Sequence, residues 1–270
     1  MNDKERVAKH AANQVTDGML VGLGTGSTAN CFIEELAQRS REQGLKVTTV
    51  ASSVVSAVKA QQLGLPVLGF EQVSQVDLYV DGADEVSPEL TLLKGQGADL
   101  VREKLLATAS EQFLVLVEPG KLVERIGQHF AIPIEVMPFA WQLVKKQLEA
   151  SGGRGDLRQN ANKNGYAVSS HGSLILDMSF DVGIDAEILN NTLNSIPGIV
   201  EHGIFYGLAT TVLVGVDGQV QERQRGRMGT TARTDICSCN ICIHHIHVDY
   251  AGGRAPTVGA LGDAGSSCRA

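Results

Sequence analysis

Apolar positions along the first half of the chain follow two alternating rhythms. Val7, Ala8, Ala11, Ala12 and Val15 fall at helical spacing, which predicts an opening amphipathic helix that Asp17-Gly18 ends. Met19 to Leu23 reads as a short strand, running through Gly22-Leu-Gly-Thr-Gly-Ser-Thr28 into a helix with Ile33, Leu36 and Ala37 inward. Lys46 to Val50 is a second strand, followed by Ser52-Ser53 and a helix through Val54, Val55, Val58 and Leu63. Pro66 to Phe70 is a third strand, and Val76 to Val80 a fourth that ends on Asp81-Gly-Ala-Asp84. Ala98 to Ser110 is a helix with Leu100 and Leu106 inward, and Phe113 to Val117 another strand. Strands alternating with helices predict a mostly parallel sheet covered on both faces, a Rossmann-like α/β lobe.

The rhythm changes after Gln128. Ala131 to Val136 reads as a strand, Phe139 to Ala150 as a helix, and Arg154 to Gln159 and Ser173 to Met178 as strands around a polar loop, Asn160 to Gly165. Ala186 to Ser195 is a helix and Ile199 to Phe205 a strand. That β-α-β-β-α-β order predicts a second, smaller ferredoxin-like α+β lobe. Thr210 to Val216, Asp217-Gly218 and Gln219 to Glu222 form a hairpin that rejoins the first sheet. The expected division is a catalytic lobe over 1–128 completed by 207–222, a small lobe over 129–206, and an atypical tail over 223–270 read as unstructured.

Composition narrows the classes. With 43% apolar and 20% charged residues the chain is an ordinary globular sequence. The 23 basic and 30 acidic residues count against a nucleic-acid partner, since such domains carry a basic surplus. No stretch reaches the length of a membrane span, and the charged Met-Asn-Asp-Lys-Glu-Arg start lacks an apolar signal core, so the expected setting is cytoplasmic. Five cysteines, only Cys31 lying before residue 237, do not make a disulfide framework. The tail segment Cys237 to His247 has thiols and imidazoles at short spacing, but matches no standard zinc module and is read as adventitious.

Four places bear chemistry. The glycine turn at Gly22 to Thr28 joins a strand to a helix, where backbone N–H groups favour an anion. It lacks the lysine of a Walker loop. The second strand does not end on the acidic residue of a dinucleotide site. Asp81 and Asp84 sit past the end of an apolar strand, where open α/β sheets bind ligands. Lys94 precedes a second glycine turn that opens the helix bearing Glu103. Lys121, in Glu118-Pro-Gly-Lys121, ends another strand on the same sheet edge and is placed to meet a phosphate.

The combination resembles type A ribose-5-phosphate isomerase from about Asp3 to Glu222. It is carried by Gly22-Leu-Gly-Thr-Gly-Ser-Thr-Ala29, Tyr79-Val-Asp-Gly-Ala-Asp-Glu85, Lys94-Gly-Gln-Gly-Ala98 with Arg102-Glu103-Lys104, and Ile196-Pro-Gly-Ile-Val200 with Gly203-Ile-Phe205. The resemblance implies interconversion of ribose 5-phosphate and ribulose 5-phosphate through a cis-enediol, in the pentose phosphate pathway, with no metal or organic cofactor and as a homodimer. It implies that Glu103 is the catalytic base and that Asp81, Asp84 and Lys94 surround the reacting end of the sugar. Substrate-binding positions by the same resemblance are Thr25, Gly26, Ser27, Thr28, Ala29, Asn30, Cys31, Gly82, Ala83, Gly95, Gln96, Gly97 and Lys121. Gln96 stands where the family usually has glycine. A non-catalytic sugar-phosphate sensor and another sugar-phosphate enzyme, a deaminase or lactonase, are the alternative readings. The first lacks a DNA-binding module, and the linked Lys94-to-Glu103 segment counts against the second.

Overall fold

Three sheets organise the computed structural model, which describes residues 1–225 apart from residue 182. The expectations for residues 226–270, the Cys237 to His247 cluster included, lie outside the described residues. In chain order the elements are α1 (Asp3–Ala12), β1 (Leu20–Leu23), α2 (Ser27–Gln43), β2 (Thr48–Ala51), α3 (Val54–Gln62), β3 (Val76–Asp81), β4 (Glu85–Val86), β5 (Leu92–Leu93), α4 (Leu100–Ala109) and β6 (Ser110–Val117). Then follow β7 (Ile132–Val136), α5 (Trp141–Ala150), β8 (Arg154–Leu157), β9 (Leu174–Ser179), α6 (Ala186–Ser195), β10 (Ile199–His202), β11 (Ile204–Phe205), β12 (Thr211–Val216) and β13 (Gln219–Gln224). None of the helices among the described residues is long and apolar enough to cross a membrane.

The large sheet has the order β13-β12-β6-β3-β1-β2 and is parallel except for the β12–β13 hairpin. One face packs on α1, α2 and α3, through Val7, Ala11, Phe32, Ile33, Leu36 and Ala60. The other packs on α4 and the three-stranded sheet, through Leu106, Val86, Leu92 and Phe205. Strand β1 lies between β2 and β3, so the chain leaves it in opposite directions. A crevice therefore opens beyond the carboxyl ends of β1 and β3, where Gly24 and Asp81 stand.

The small sheet, β10-β7-β9-β8, is antiparallel throughout and has the strand order of a split βαβ unit. Val144 and Leu148 of α5 and Leu189 and Leu193 of α6 cover one face.

Four sequence expectations need correction. Pro66 to Phe70 shrinks to a single parallel bridge, Val67 beside Thr49: Thr49 N donates to Pro66 O at 2.9 Å and Thr49 O accepts from Leu68 N at 2.8 Å, and the chain then turns at Phe70–Gln72. Ile199 to Phe205 is two strands in two sheets, divided at Gly203. There the Gly203 N–H turns to Pro133 O (2.8 Å), while its carbonyl accepts from Lys94 N (2.9 Å). The closing strand continues past Glu222 to Gln224, paired with Thr211. On α3, Val54, Val55 and Val58 are exposed, and Ser56 and Ala60 are the buried positions, with Ser56 Oγ donating to Gly24 O at 2.6 Å. Strands β4 and β5, two residues each, carry no periodicity and were not anticipated.

Candidate active site

Asp81 closes β3 and has no exposed surface. Its Oδ1 accepts from the backbone N–H groups of Thr25 (3.1 Å) and Gly82 (2.7 Å). Its Oδ2 accepts from the Tyr79 hydroxyl (2.5 Å) and from Lys94 Nζ (2.9 Å). This meeting of β1 and β3 requires Gly24, since a Cβ there would overlap the Asp81 carboxylate. Lys94 follows β5, and its Nζ also donates to Gly82 O at 2.7 Å. Burial alone would lower the Lys94 pKa, but the Asp81 and Glu103 carboxylates raise it well above the ordinary lysine value. The ammonium is thus fixed in its charged form.

Glu103 is the fourth residue of α4, whose Leu100 and Leu106 are buried against the sheets. That packing turns the Glu103 carboxylate toward Lys94, with Oε2 3.3 Å from Nζ. Oε2 accepts no well-directed hydrogen bond among the described residues. Burial raises the Glu103 pKa to about 7; Lys94 pulls it down, and Asp81 and Asp84 push it up. Beside it, Lys104 Nζ donates to Glu201 Oε1 and to His202 O, both at 2.6 Å, and ties α4 to β10.

Asp84 is held differently from Asp81. Its N–H donates to Leu93 O (2.8 Å), and its Oδ2 accepts from Gln96 N (3.3 Å). The group is half-buried, and burial raises its carboxyl pKa. Glu85, next along, turns the other way. Its buried carboxylate accepts the N–H groups of Gly127, Gln128, His129 and Phe130, and so shapes the loop that sets the Phe130 ring 5.5 Å from Lys121 Nζ.

These groups surround a cavity of about 430 Å³. Thr25, Gly26, Ser27, Thr28 and Ala29 line it, as do Gly82, Ala83, Asp84, Lys94, Gly95, Gln96, Gly97, Glu103 and Lys121. Asp81 lies behind Lys94, outside the lining. Asn30 and Cys31 are not in the wall either. Asn30 N closes the first turn of α2 on Gly26 O (2.9 Å), and Cys31 packs against the core, where burial raises its thiol pKa.

Five lining residues lie outside the set expected from the sequence: Lys4, Asp99, Leu116, Val117 and Glu118. Lys4 Nζ donates to Ser27 Oγ at 3.2 Å and lies 3.5 Å from Glu118 Oε2. Nothing near Lys4 in the sequence marks it; its position follows from α1 packing on α2. Gln96 does not strain its turn. The left-handed residues there are Gly95 (φ 103°) and Ala98 (φ 66°), and the Gln96 amide reaches outward toward Ala131 O. A cavity of about 490 Å³ beside Leu90, Ile126 and Phe180 contains none of the Lys94–Glu103 machinery.

Comparison with known proteins assigns a family to the chain. The family model for ribose 5-phosphate isomerase A (phosphoriboisomerase A) matches residues 48–219. A ribose-5-phosphate isomerase A of Prochlorococcus marinus (strain NATL2A) is 45% identical over 214 residues, covering 78% of this chain and 91% of the relative. One from Thermosynechococcus vestitus is 43% identical, covering 82% and 95%. Among solved structures, ribose 5-phosphate isomerase A of Methanocaldococcus jannaschii superposes with a TM-score of 0.78 at 39% identity, covering 82% of this chain and 98% of the other. A D-ribose-5-phosphate isomerase in complex with phospho-erythronic acid superposes with a TM-score of 0.79 at 36% identity, covering 83% and 100%.

Proposed function

The chain belongs to the ribose 5-phosphate isomerase A family, and within that family's reaction we propose that Glu103 is the base that moves a proton between C2 and C1. The protein is an aldose–ketose isomerase interconverting ribose 5-phosphate and ribulose 5-phosphate. The observation that carries the assignment of the base is the Glu103 carboxylate itself. It is buried, opens on the cavity, stands 3.3 Å from a permanently charged lysine, and has a pKa raised to about 7. A base with that pKa is ionised in about half of the molecules at neutral pH and still holds a proton well enough to return it.

The step balances without a further reactant. Glu103 removes the C2 proton of the open-chain aldose. The C2–H electron pair becomes the C1–C2 double bond, and the carbonyl electrons move onto O1. Lys94 faces that oxygen and stabilises its charge. Asp84, in the cavity wall with a raised pKa, takes the proton from the O2 hydroxyl and delivers one to O1. Glu103 then returns its proton to C1, and O2 becomes the ketose carbonyl. Asp81, saturated by four donors and out of reach of the cavity, acts by holding Lys94.

At the other end, the N-terminus of α2 with Ser27 and Thr28, flanked by Lys4 and Lys121, suits the phosphate. Association of two copies and a cytoplasmic setting accompany the family reading, and sedimentation velocity tests the first.

Exchange of the substrate's C2 hydrogen with deuterated water tests the base. Glu103→Gln should slow both isomerisation and exchange by roughly 10²–10⁴-fold. Exchange at the parent rate in that variant would remove Glu103 from the role.

A further inference from the structure

Arg158 lies in the smaller sheet's half of the molecule, just past β8, and reaches the glycine turn that follows Lys94. Its Nε and Nη2 hold both oxygens of Asp177, at 2.8 and 2.6 Å. Its Nη1 donates to two successive carbonyls, Gly95 O and Gln96 O, each at 3.1 Å. The side chain is only 14% exposed. A guanidinium whose donors are shared between one carboxylate and two backbone carbonyls is a rigid planar fork, fixed at one end and clamping at the other.

The geometry of the peptide gives that clamp a consequence inside the cavity. In a trans peptide the C=O and the following N–H point in opposite directions, and no cis peptide occurs among the described residues. With Gly95 O turned to Arg158, the Gln96 N–H faces away from it, and it does so onto Asp84 Oδ2 at 3.3 Å. With Gln96 O turned to the same guanidinium, the Gly97 N–H also faces away from it. Gly95, Gln96, Gly97 and Asp84 all line the cavity that holds Lys94 and Glu103. The turn itself is conformationally costly, with Ala98 in the left-handed region at φ 66°. Its peptides therefore need an external hold to keep one orientation.

We propose that Arg158 is a positioning residue for the isomerisation: by gripping the Gly95 and Gln96 carbonyls from behind, it aims the Gln96 N–H at Asp84 and the Gly97 N–H toward the substrate oxygens. Asp177 is its anchor, since it fixes the plane of the fork. Neither residue stands out in the sequence, because an arginine and an aspartate within expected strands are ordinarily surface charge. The inference rests on the site assigned above.

Arg158→Lys tests it in the full-length protein. A lysine keeps the charge but cannot hold Asp177 bidentately and two carbonyls together. The expected result is a kcat lower by about tenfold to a hundredfold, the scale of a small misplacement in a reacting site. The dissociation constant for inorganic phosphate should stay within about twofold of the parent, because the phosphate end is built from other elements. A kcat within about twofold of the parent overturns the proposal, as does an equal loss of phosphate affinity, which would mark a general disturbance of the fold. Asp177→Asn keeps Arg158 and loosens only its anchor. It decides the matter should the lysine variant not fold: a lowered kcat with phosphate affinity kept supports the clamp, and an unchanged kcat overturns it. Glu103→Gln in parallel separates the two readings. If it is inactive while both clamp variants are normal, only the role of Arg158 falls.

Discussion

Glu103 Oε2 stands 3.3 Å from Lys94 Nζ without receiving a well-directed hydrogen bond from it. The ammonium gives its well-placed donors to Asp81 Oδ2 and Gly82 O instead. Glu103 thus feels the charge of Lys94, while its Oε2 has no hydrogen-bond partner of good geometry among the described residues. Burial raises its pKa and the ammonium restrains the rise, leaving it at about 7.

The base must be ionised to accept a proton. kcat/KM of the parent should therefore climb as pH rises through about 7 and level off above it. Glu103→Gln should lose roughly 10²–10⁴-fold in kcat and show no such limb. Steady-state rates from pH 5.5 to about 9 check both. A limb that survived in the glutamine variant would belong to another group.

The same shift has a sign for stability. The folded-state pKa of Glu103 is raised above the model-compound value of 4.5, so the native state holds this proton more tightly than the unfolded chain. The associated stability is complete below pH 4.5 and is lost as pH rises through about 7. Glutamine resembles the protonated form at every pH. Glu103→Gln should melt higher than the parent at pH 8 and much closer to it at pH 5. Equal differences at the two pH values would show that burial of the carboxylate is not costly.

Lys94→Ala removes the cation that touches Asp81 among the described residues and leaves the charge of a carboxylate with no exposed surface unpaired there. Breaking a buried pair in this way costs about 3–5 kcal/mol. Urea unfolding should show that loss together with a collapse of kcat. Restored stability with kcat still low in Lys94→Ala/Asp81→Asn would separate the structural part of the pair from the catalytic part.

Lys121 lines the same cavity as the Lys94–Glu103 pair, its ammonium over the Phe130 ring. A contact with the phosphate is made equally in the ground and transition states. Lys121→Ala should accordingly raise KM more than it lowers kcat. A fall in kcat at constant KM would move Lys121 to the reacting end.

Among the described residues, three sheets and the cavity wall with Lys94 and Glu103 are assembled from residues 1–225. Ending the chain after Arg225 should leave kcat and the melting temperature nearly unchanged. Ending it after Glu222 removes the last two pairings of β13, Arg223 with Val212 and Gln224 with Thr211, together with the Arg225 Nη1 donation to Gly207 O at 2.7 Å. The shorter form should melt lower than the longer one. Equal melting of the two would make those contacts dispensable.

The alternation of strands and helices, the split βαβ unit and the closing hairpin were legible in the sequence, because the helices bury one face at helical spacing and the central strands, covered on both faces, read as short apolar runs. The glycine turn after β1 and the Asp81–Asp84 pair were legible because strand ends in such a sheet share one edge; the Lys94-to-Glu103 segment, which follows β5 of the three-stranded sheet, was legible as a lysine, a glycine turn and a helix in series. Side-chain direction was not. Asp81 and Asp84 sit three residues apart in one turn, yet one is sealed behind Lys94 and the other faces the cavity. Which of them meets substrate depends on Gly24 of the neighbouring strand approaching Asp81. Lys4 reaches Ser27 only because α1 lies on α2, and Arg158 reaches the Gly95 and Gln96 carbonyls across more than sixty residues of chain. Local periodicity reports what a segment buries. Which polar groups then meet, and how far burial shifts Glu103, depends on distances between segments that no local pattern contains.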